Sequence, residues 1–324
     1  MQALVLVGGE GTRLRPLTET MPKPVVPLVD RPFLAYMVDW LARHGVEEIV
    51  FACGFMSDAL RESLGEGEAG GPRLRYLAEP EPLGTAGAIK FAADQLGERF
   101  LALNGDVLAD LDLTALVRAH EEWGASATLG LYPVENAAAY GLVRRGDNGE
   151  VLEFVEKPGP GEGSGGEINA GTYVLERSIL DLVPPGQAVS IEREVFPRLV
   201  GHGLHGLLVD GYWMDIGTPE RYLQASWDIL EGRVETNAGR SPDAVRVAAS
   251  AEVADSAAIG PRAVIAEGCR VGEDATVRGS VLLAGCAVGA GSAVHDSILG
   301  PGVEVEDGVT LRDAVVGEDD RVSA

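Results

Sequence analysis

The sequence has 324 residues, of which 46% are hydrophobic, and a formal net charge of −24 at pH 7. This length exceeds the size at which one hydrophobic core usually keeps growing, so we expect one large domain and a smaller one. The acidic charge argues against nucleic acid as a partner, because binding a phosphate backbone needs a basic surface. No apolar run approaches the roughly 18 residues of a membrane-spanning helix, so no membrane association is expected.

The cysteines and the first residues predict a reducing, cytoplasmic environment. Cys53, Cys269 and Cys286 are an odd number and lack the C-x-x-C spacing of zinc sites and redox motifs. The N-terminal apolar run enters a glycine loop directly, without the basic start and cleavage site of a signal peptide. We therefore expect a soluble cytoplasmic protein without disulfide bonds.

Apolar runs alternate with helical patterns from Ala3 to Leu230. The run at 3–7 ends in glycines, which is typical of a buried parallel strand leading into a ligand-binding turn. Further strands are predicted at 48–53, 74–78, 100–103 and 127–132, and helices at 33–44, 85–96, 113–123, 191–199 and 219–230. Such alternation predicts a doubly wound mixed α/β sheet of Rossmann-like type, with ligands at the carboxyl ends of its strands.

A hexapeptide repeat occupies the C-terminal part of the sequence. Apolar residues recur every six positions from Val253 to Val277, and the repeat then becomes 17, as in Leu282, Leu299 and Val316. Three sides per coil, with one residue dropped at a corner, is the pattern of a left-handed β-helix. About four such coils fit into the remaining length.

These patterns divide the chain into three parts. We predict an α/β domain at 1–232, a linker at 233–250 and a left-handed hexapeptide β-helix at 251–324. Cys269 and Cys286 are themselves separated by one such repeat, so they are expected to fill the β-helix core rather than to serve redox chemistry.

The glycine-rich loop after the first strand, Gly8 to Arg13, is suited to binding a polyphosphate. Glycines allow backbone N–H groups to approach phosphate oxygens closely. The loop lacks both the G-K-[ST] of a Walker loop and the G-x-G-x-x-G dinucleotide motif, so alone it is weakly specific. Arg13 suits bidentate phosphate contact, and Lys23 suits a point charge on a leaving pyrophosphate.

Five motifs together resemble the sugar-phosphate nucleotidylyltransferase family. They are G-G-x-G-T-R-L-x-P-L-T at 8–18 with P-K-P at 22–24, L-N-G-D at 103–106, E-K-P at 156–158, N-A-G at 169–171 and W-M-D-I-G-T-P at 213–219. With the C-terminal repeats, the resemblance covers nearly the whole chain. It implies an enzyme that transfers a nucleotidyl group from a nucleoside triphosphate to a sugar 1-phosphate and releases pyrophosphate, with residues 1–232 as the catalytic domain.

The resemblance also implies the roles of individual residues. The nucleotide would be bound by Gly8, Gly9, Gly11, Thr12, Glu79, Gly84 and Thr85. The sugar phosphate would be bound by Gly141, Glu156, Lys157 and Asn169. Arg13, Lys23 and Asp106 would be catalytic, and Asp106 and Asp215 would bind Mg²⁺. Two carboxylates on one Mg²⁺ would let it bridge the α-phosphate and the sugar phosphate.

Such a reaction needs no dedicated base. A phosphate monoester has a second pKa of about 6, so at neutral pH it is mostly a dianion that can attack the α-phosphorus directly. Positioning and charge neutralisation should therefore dominate catalysis. This agrees with the absence of histidine from the motifs. We expect surface or structural roles for His44, His120, His202, His205 and His295.

Glu79 bears on the choice of base. Thymidylyl- and uridylyltransferases of the resembled family usually have Gln here. A carboxylate can accept the adjacent N1–H and N2–H₂ donors of guanine, whereas uracil and thymine offer one donor between two acceptors. Together with the segments at 81–87, 154–158 and 190–197, this resembles mannose-1-phosphate guanylyltransferases most. GTP and mannose 1-phosphate are thus the expected substrates, and glucose-1-phosphate thymidylyl- or uridylyltransferase activity is the alternative.

Two further readings belong to other classes. Hexapeptide β-helices also occur in trimeric acyltransferases, with His295 as a conceivable base, but four short coils give little surface for that. A regulatory, non-catalytic protein that senses a nucleotide sugar should have lost cations or metal ligands. All of these are present: Arg13, Lys23, Asp106, Lys157 and Asp215. The β-helix is expected to mediate homo-oligomerisation, with a dimer as the simplest form.

Overall fold

The computed structural model describes residues 1–9, 11–54, 57–157 and 164–323. Glu10 of the glycine loop and Pro158 of the E-K-P motif lie outside these residues. The chain divides into two compact units, one formed by Met1–Gly8 and Met37–Trp213 and the other by Gly9–Tyr36 and Met214–Ala324.

Short strands and helices alternate from Gln2 to Glu231. The strands are β1 (Gln2–Val7), β2 (Pro27–Leu28), β3 (Arg31–Pro32), β4 (Glu48–Cys53), β5 (Arg73–Ala78), β6 (Arg99–Asn104), β7 (Val107–Ala109), β8 (Ala127–Asn136), β9 (Gly141–Arg145), β10 (Val151–Glu156), β11 (Ser164–Glu176), β12 (Leu204–Leu208) and β13 (Trp213–Asp215). The helices are α1 (Leu17–Thr20), α2 (Phe33–Arg43), α3 (Ser57–Leu64), α4 (Gly84–Phe91), α5 (Leu113–Trp123), α6 (Phe196–Leu199) and α7 (Pro219–Glu231). Short 3₁₀ segments lie at Thr12–Leu14, Lys23–Val25, Ala93–Gln95, Arg177–Leu182 and Pro242–Ala244, and a π-helical turn at Ile191–Val195.

The first unit is built on a nine-stranded mixed sheet. Its main path runs β10-β9-β11-β6-β1-β4-β5, with β8 paired to both β11 and β12. β1 is central and lies parallel to β4 and β6, whereas β11 joins β6 in antiparallel orientation. The side chains of β1 and β4 are almost all buried, as expected for parallel strands covered on both faces. The predicted doubly wound mixed sheet is confirmed.

Two helices differ from their predicted extents. The pattern at 85–96 predicts one helix, but α4 ends at Phe91 and a 3₁₀ turn at Ala93–Gln95 follows. The pattern at 191–199 gives a π-helical turn and then the short helix α6. Pro197 lacks a backbone N–H and lies in the first turn of α6, where that donor is not needed. Within the described ranges, no helix is long and apolar enough to cross a membrane.

The C-terminal part of the second unit is a parallel β-helix of three sheets. The strands are β14 (Val245–Val247), β15 (Glu252–Val253), β16 (Ala258–Ile259), β17 (Ala263–Ile265), β18 (Arg270–Val271), β19 (Thr276–Arg278), β20 (Ser280–Leu282), β21 (Ala287–Val288), β22 (Ala293–His295), β23 (Ile298–Leu299), β24 (Glu304–Val305), β25 (Thr310–Arg312), β26 (Val315–Val316) and β27 (Arg321–Val322). Every third strand belongs to the same sheet. The predicted hexapeptide β-helix is therefore confirmed.

The strand register reproduces the repeat seen in the sequence. Val245 pairs with Ala263, and Ala263 pairs with Ser280, so each pairing advances the chain by one coil. β14 thus joins a coil although it lies in the segment predicted as linker. Its Val245 and Val247 pair with the next coil, whereas the hexapeptide pattern in the sequence starts only at Val253.

Small and branched side chains fill the β-helix. Cys269 and Cys286 are free and fully buried, and their thiols donate to the carbonyl oxygens of Leu283 and Gly300, both at 3.1 Å. Their predicted role as core residues is confirmed. The third cysteine, Cys53, is also buried, and burial raises its pKa to about 12.

Candidate active site

Three of the residues predicted to bind the sugar phosphate converge in the first unit. β9 and β10 pair so that Gly141 lies opposite Glu156. A Cβ atom on Gly141 would lie 2.9 Å from Glu156 Oε2 and 3.4 Å from the Cβ of Asn169 on β11. The missing side chain at position 141 thus leaves open space beside the Glu156 carboxylate and the Asn169 side chain, which ends in an amide. Both groups can hydrogen-bond to hydroxyls.

Lys157 follows directly after Glu156 and has an unusual backbone. Its φ is 52°, in the left-handed region that residues other than glycine seldom adopt. The backbone N–H of Lys157 donates to the carbonyl oxygen of Tyr140 at 3.1 Å, and the residue is exposed. Strained backbone of this kind often occurs at functional sites. The chain is fixed at this point while the ammonium group stays accessible to an anion.

Glu192 is a residue whose role the sequence motifs did not reveal. Its Oε2 accepts hydrogen bonds from Thr85 Oγ1 and Ser190 Oγ, each at 2.8 Å. Its Oε1 accepts a long hydrogen bond, 3.5 Å, from the Tyr173 hydroxyl, which in turn accepts from Asn169 Nδ2 at 2.9 Å. One carboxylate thus joins the first turn of α4 to β11. Glu192 lies in the π-helical turn at 191–195, and such turns are frequent at functional sites, but the sequence carries no signal for the turn.

The carboxylates of this region are only partly solvated. Burial raises the pKa of Glu156, and the negative charge of Glu192 raises it further, whereas Lys157 and Arg193 act in the opposite direction. Burial also raises the pKa of Glu79, against a backbone hydrogen bond from Leu83. Both carboxyl groups therefore take up a proton at higher pH than an ordinary glutamate.

Gly84 and Thr85, predicted to bind nucleotide, pack against the segment 189–192. Gly84 has a φ of 67°, and a Cβ there would lie 2.7 Å from the carbonyl oxygen of Val189. The Thr85 hydroxyl donates to Glu192 and accepts from the N–H of Ile191, also at 2.8 Å. The proton of this hydroxyl is therefore already used in a hydrogen bond within the protein. Gly84 lies at the N-terminus of α4, where the helix dipole favours negative charge.

Asp106 lies in the turn between β6 and β7, half-buried. The N–H of Gly105 donates to the carbonyl oxygen of Leu6 at 2.9 Å, and a Cβ on Gly105 would approach that oxygen to 2.7 Å. Gly171 has a φ of 68°, and a Cβ on it would lie 2.7 Å from Asn104 Nδ2. The glycines of two motifs thus let β1, β6 and β11 pack closely, which places Asp106 at the carboxyl end of the central strands.

The second unit holds the remaining part of the glycine loop. Gly11 has a φ of 64°, and a Cβ there would lie 3.0 Å from the Cβ of Lys23 and 3.1 Å from Cγ2 of Thr18. Thr18 Oγ1 donates to the carbonyl oxygen of Gly11 at 2.8 Å. Lys23 is only 7% exposed, which is rare for lysine. The predicted cation is therefore packed against the loop. Thr12 begins the 3₁₀ turn that leads to Arg13.

Arg13 lies against Asp215 and Gly217 of the W-M-D-I-G-T-P motif, all three within the second unit. A Cβ on Gly217 would lie 2.8 Å from Arg13 Cζ, closer still to Nη2, and 2.9 Å from Asp215 Oδ1. Asp215 Oδ2 accepts from Arg221 Nη1 at 2.9 Å. Asp215 Oδ1 is buried and has no hydrogen-bond partner among the residues described. A guanidinium and a carboxylate are thus gathered around a residue that must lack a side chain.

One of the predicted metal ligands, Asp215, suits a hard cation. Within the described ranges there is no cluster of three or more His, Cys, Asp or Glu side chains that could hold a metal. A buried carboxylate oxygen without a partner is costly, and a bound cation would satisfy it. Asp215 Oδ1 is such an atom. Mg²⁺ keeps several waters and needs only one or two protein carboxylates, so Asp215 fits it.

Two of the histidines of the first unit, His120 and His205, make contacts typical of structural residues. His120 is fully buried, with Nδ1 at 2.8 Å from Thr128 Oγ1 and Nε2 at 3.1 Å from Glu176 Oε1. Burial lowers its pKa. His205 stacks on the ring of Trp123 at 5.1 Å. These contacts agree with the structural role predicted for the two histidines.

Comparison with known proteins agrees with this geometry. The nucleotidyl transferase family model matches residues 2–232, and that of the GMPPB C-terminal domain matches residues 242–324. A mannose-1-phosphate guanylyltransferase of Mycobacterium tuberculosis is 37% identical over 281 residues, covering 86% of this chain and 76% of that protein. A UTP–glucose-1-phosphate uridylyltransferase of a Synechocystis species is 34% identical over 251 residues, covering 72% and 65%.

A solved structure is similar as well. HddC from Yersinia pseudotuberculosis, complexed with GMP-PN, superposes with a TM-score of 0.60 at 29% identity, covering 70% of this chain and 99% of that one. The family match spans the sheet and all five motifs. The chain belongs to the nucleotidyl transferase family.

Proposed function

We propose that the protein transfers GMP from GTP to mannose 1-phosphate, forming GDP-mannose and pyrophosphate. The observation that carries the choice of base is Glu79. Its Oε2 accepts from the N–H of Leu83 at 3.2 Å, which orients the carboxylate within the segment 79–87. Each carboxylate oxygen can accept more than one hydrogen bond, so the adjacent N1–H and N2–H₂ donors of guanine remain matched. The similarity to the M. tuberculosis guanylyltransferase supports the same substrates.

Uridylyl or thymidylyl transfer is the alternative, and the similarity to the Synechocystis uridylyltransferase speaks for it. Uracil and thymine, however, present two carbonyl oxygens on either side of one N–H donor. Against an ionised Glu79, at least one of these oxygens would face a negatively charged acceptor. This repulsion favours guanine.

The proposed reaction is an in-line displacement at the α-phosphorus. Lys157 holds the sugar phosphate, whose oxygen attacks, while Glu156, Asn169 and the backbone of Gly141 hold the sugar hydroxyls. The triphosphate is bound by the backbone of Gly8, Gly9 and Gly11 and by Thr12. Gly84 and Thr85, at the start of α4, bind the nucleotide. Because the sugar phosphate is already mostly a dianion at neutral pH, no side chain has to remove a proton.

Charge neutralisation is the main task of the remaining residues. Arg13 and Lys23 offset the charge that develops on the α-phosphate and the leaving pyrophosphate. Asp106 and Asp215 are the residues that would hold Mg²⁺, and such an ion would supply further charge neutralisation. We also propose that residues 1–232 carry catalysis and that the β-helix serves homo-oligomerisation.

The proposal is tested by measuring pyrophosphate release with five nucleotides, GTP, UTP, dTTP, ATP and CTP, against mannose 1-phosphate and glucose 1-phosphate. We expect GTP with mannose 1-phosphate to give the highest kcat/KM. In a Glu79→Gln variant, the ratio of kcat/KM for GTP to kcat/KM for dTTP should fall by roughly 10- to 100-fold. A change of this size corresponds to the loss of one or two hydrogen bonds to a charged group. Glu81→Gln, an exposed neighbour, is the matched control. Equal turnover of dTTP and GTP by the unaltered protein would refute the guanine assignment, and no turnover of any pair would favour a sensor.

A further inference from the structure

One face of the β-helix carries a row of alternating charges. The sheet of β15, β18, β21, β24 and β27 turns its valines inward, where they join the core. The neighbouring residues point outward, one per coil, in the order Glu252, Arg270, Ala287, Glu304 and Arg321. All four charged members are exposed. We call this row the charged ladder; neighbouring steps are about 4.8 Å apart, the spacing of paired strands.

Small residues run beside the charged ladder. The next outward positions are Ala254, Gly272 and Gly289, followed by Glu306. The ladder and these residues surround a shallow concavity of about 630 Å³. The sheet face is therefore open enough for another surface to approach its backbone closely.

The order of charges is self-complementary. When two copies of this sheet face each other, a two-fold axis can lie between them along the strand direction at Ala287. Rotation about that axis places the first ladder residue of one copy opposite the last ladder residue of the other, and the second opposite the fourth. Glu252 then faces Arg321 of the other copy, and Arg270 faces Glu304. A two-fold axis along the stacking direction would instead place each charge opposite its own like.

We propose that the charged ladder binds the same face of a second copy of this chain, with the two β-helices antiparallel. The inference rests on the homo-oligomerisation proposed above and specifies its surface and symmetry. In this arrangement Glu306 of one copy lies opposite Gly272 of the other, where no side chain occupies the space, and next to Arg270. Opposite charges across the interface fix both register and orientation.

The other two faces of the β-helix do not fit this role. In the sheet of β14, β17, β20, β23 and β26, the outward side chains Val281 and Ile298 are already buried. The remaining sheet carries Arg278, His295 and Arg312 in one column, which would meet like charges in a second copy. The charged ladder has two acidic and two basic members. It is thus a balanced patch on a chain whose formal net charge is −24.

One ladder residue already has a partner within the chain. Arg321 Nε lies 3.0 Å from Glu306 Oε1, and both side chains are exposed, at 67% and 42%. Ion pairs this exposed contribute little because water screens them. Breaking the Arg321–Glu306 ion pair so that Arg321 can pair with a second copy therefore costs little free energy.

Sedimentation velocity of the full chain, at concentrations up to about 100 μM, tests the interface. The unaltered protein should sediment at twice the 34.0 kDa chain mass. Arg270→Glu and Glu304→Arg should each be monomeric, because each places like charges opposite one another at two symmetric positions. An equimolar mixture of the two variants should regain the dimer mass, since both contacts become Glu–Arg again. Arg278→Glu, on the other exposed sheet, is the matched control and should remain dimeric.

Cross-linking locates the axis independently. Ala287→Cys should be joined to its copy by a bis-maleimide that spans about 10 Å, the spacing of packed sheets, whereas Ala293→Cys should not. The native cysteines are buried. A monomeric unaltered protein, a dimeric Arg270→Glu variant, or a mixture that stays monomeric would overturn the proposal. Pyrophosphate release measured on the same samples tests the proposed enzyme activity separately, because no ladder residue belongs to the proposed catalytic site.

Discussion

The close contact between Arg13 and Gly217 gives the sharpest prediction, for the variant Gly217→Ala. The new Cβ would lie 2.8 Å from Arg13 Cζ and 2.9 Å from Asp215 Oδ1, whereas an ordinary contact is 3.4–4 Å. The guanidinium must therefore move by about 1 Å. A displacement of about 1 Å at a reacting centre can cost about 100-fold in rate, which corresponds to about 2.7 kcal/mol of activation free energy.

The same change should leave folding nearly intact. Arg13 is exposed and its guanidinium is the end of a flexible side chain, so it can yield without disturbing the core, and the carboxylate of Asp215 needs to shift by only a few tenths of an ångström. We expect the free energy of unfolding to change by less than about 0.5 kcal/mol, measured by denaturant titration. Steady-state pyrophosphate release gives kcat/KM.

A double-mutant cycle decides whether the effect passes through Arg13. In an Arg13→Ala background the guanidinium is absent, so Gly217→Ala should cost much less than 100-fold. If the loss is as large with Arg13 removed as with Arg13 present, the contact is not the cause and the reasoning is wrong.

Further outcomes follow from the carboxylates and from a buried histidine. Asp106→Asn should lower kcat for pyrophosphate release by at least about 100-fold if Asp106 binds Mg²⁺; unchanged release would refute the metal assignment. Glu192→Gln removes a charge that raises the pKa of Glu156, so the acid limb of the pH–rate profile should move to lower pH; an unmoved limb would mean a purely structural role. Burial lowers the pKa of His120, so as the pH falls the unfolded chain takes up a proton on this histidine before the folded chain does. The free energy of unfolding should therefore decrease as the pH drops below about 6.5. In parallel urea titrations, His120→Gln should lack this part of the decrease.

The sequence was sufficient to predict the fold because periodicity and packing agree. The apolar run at 3–7 is buried along nearly its whole length as part of β1, and the repeat of 17 is the coil length of the β-helix. Local patterns were less reliable where backbone hydrogen bonding changes within one helix. The segment at 191–199 has helical spacing, yet its first turn is π-helical, which periodicity alone does not distinguish.

The sequence predicted which residue types belong to the candidate site, but it did not predict which of these residues contact one another. Glu156 and Asn169 come from two separate motifs and Gly141 lies outside the motifs, and their convergence comes from strand pairing that no single motif encodes. Glu192 was missed because its importance lies in partners far away in the sequence, such as Thr85. The contact of Arg13 with Gly217 likewise depends on folding, since the two residues lie near opposite ends of the predicted catalytic domain.

The Glu192 carboxylate has a consequence for how substrate preference can change. Through Thr85 it touches the segment proposed to read the base, and through Tyr173 it reaches Asn169, proposed to hold the sugar. Substitutions that alter the nucleotide will therefore be epistatic with those that alter the sugar. A library that varies both pockets while keeping Glu192 fixed should recover fewer active combinations than one in which position 192 varies with them.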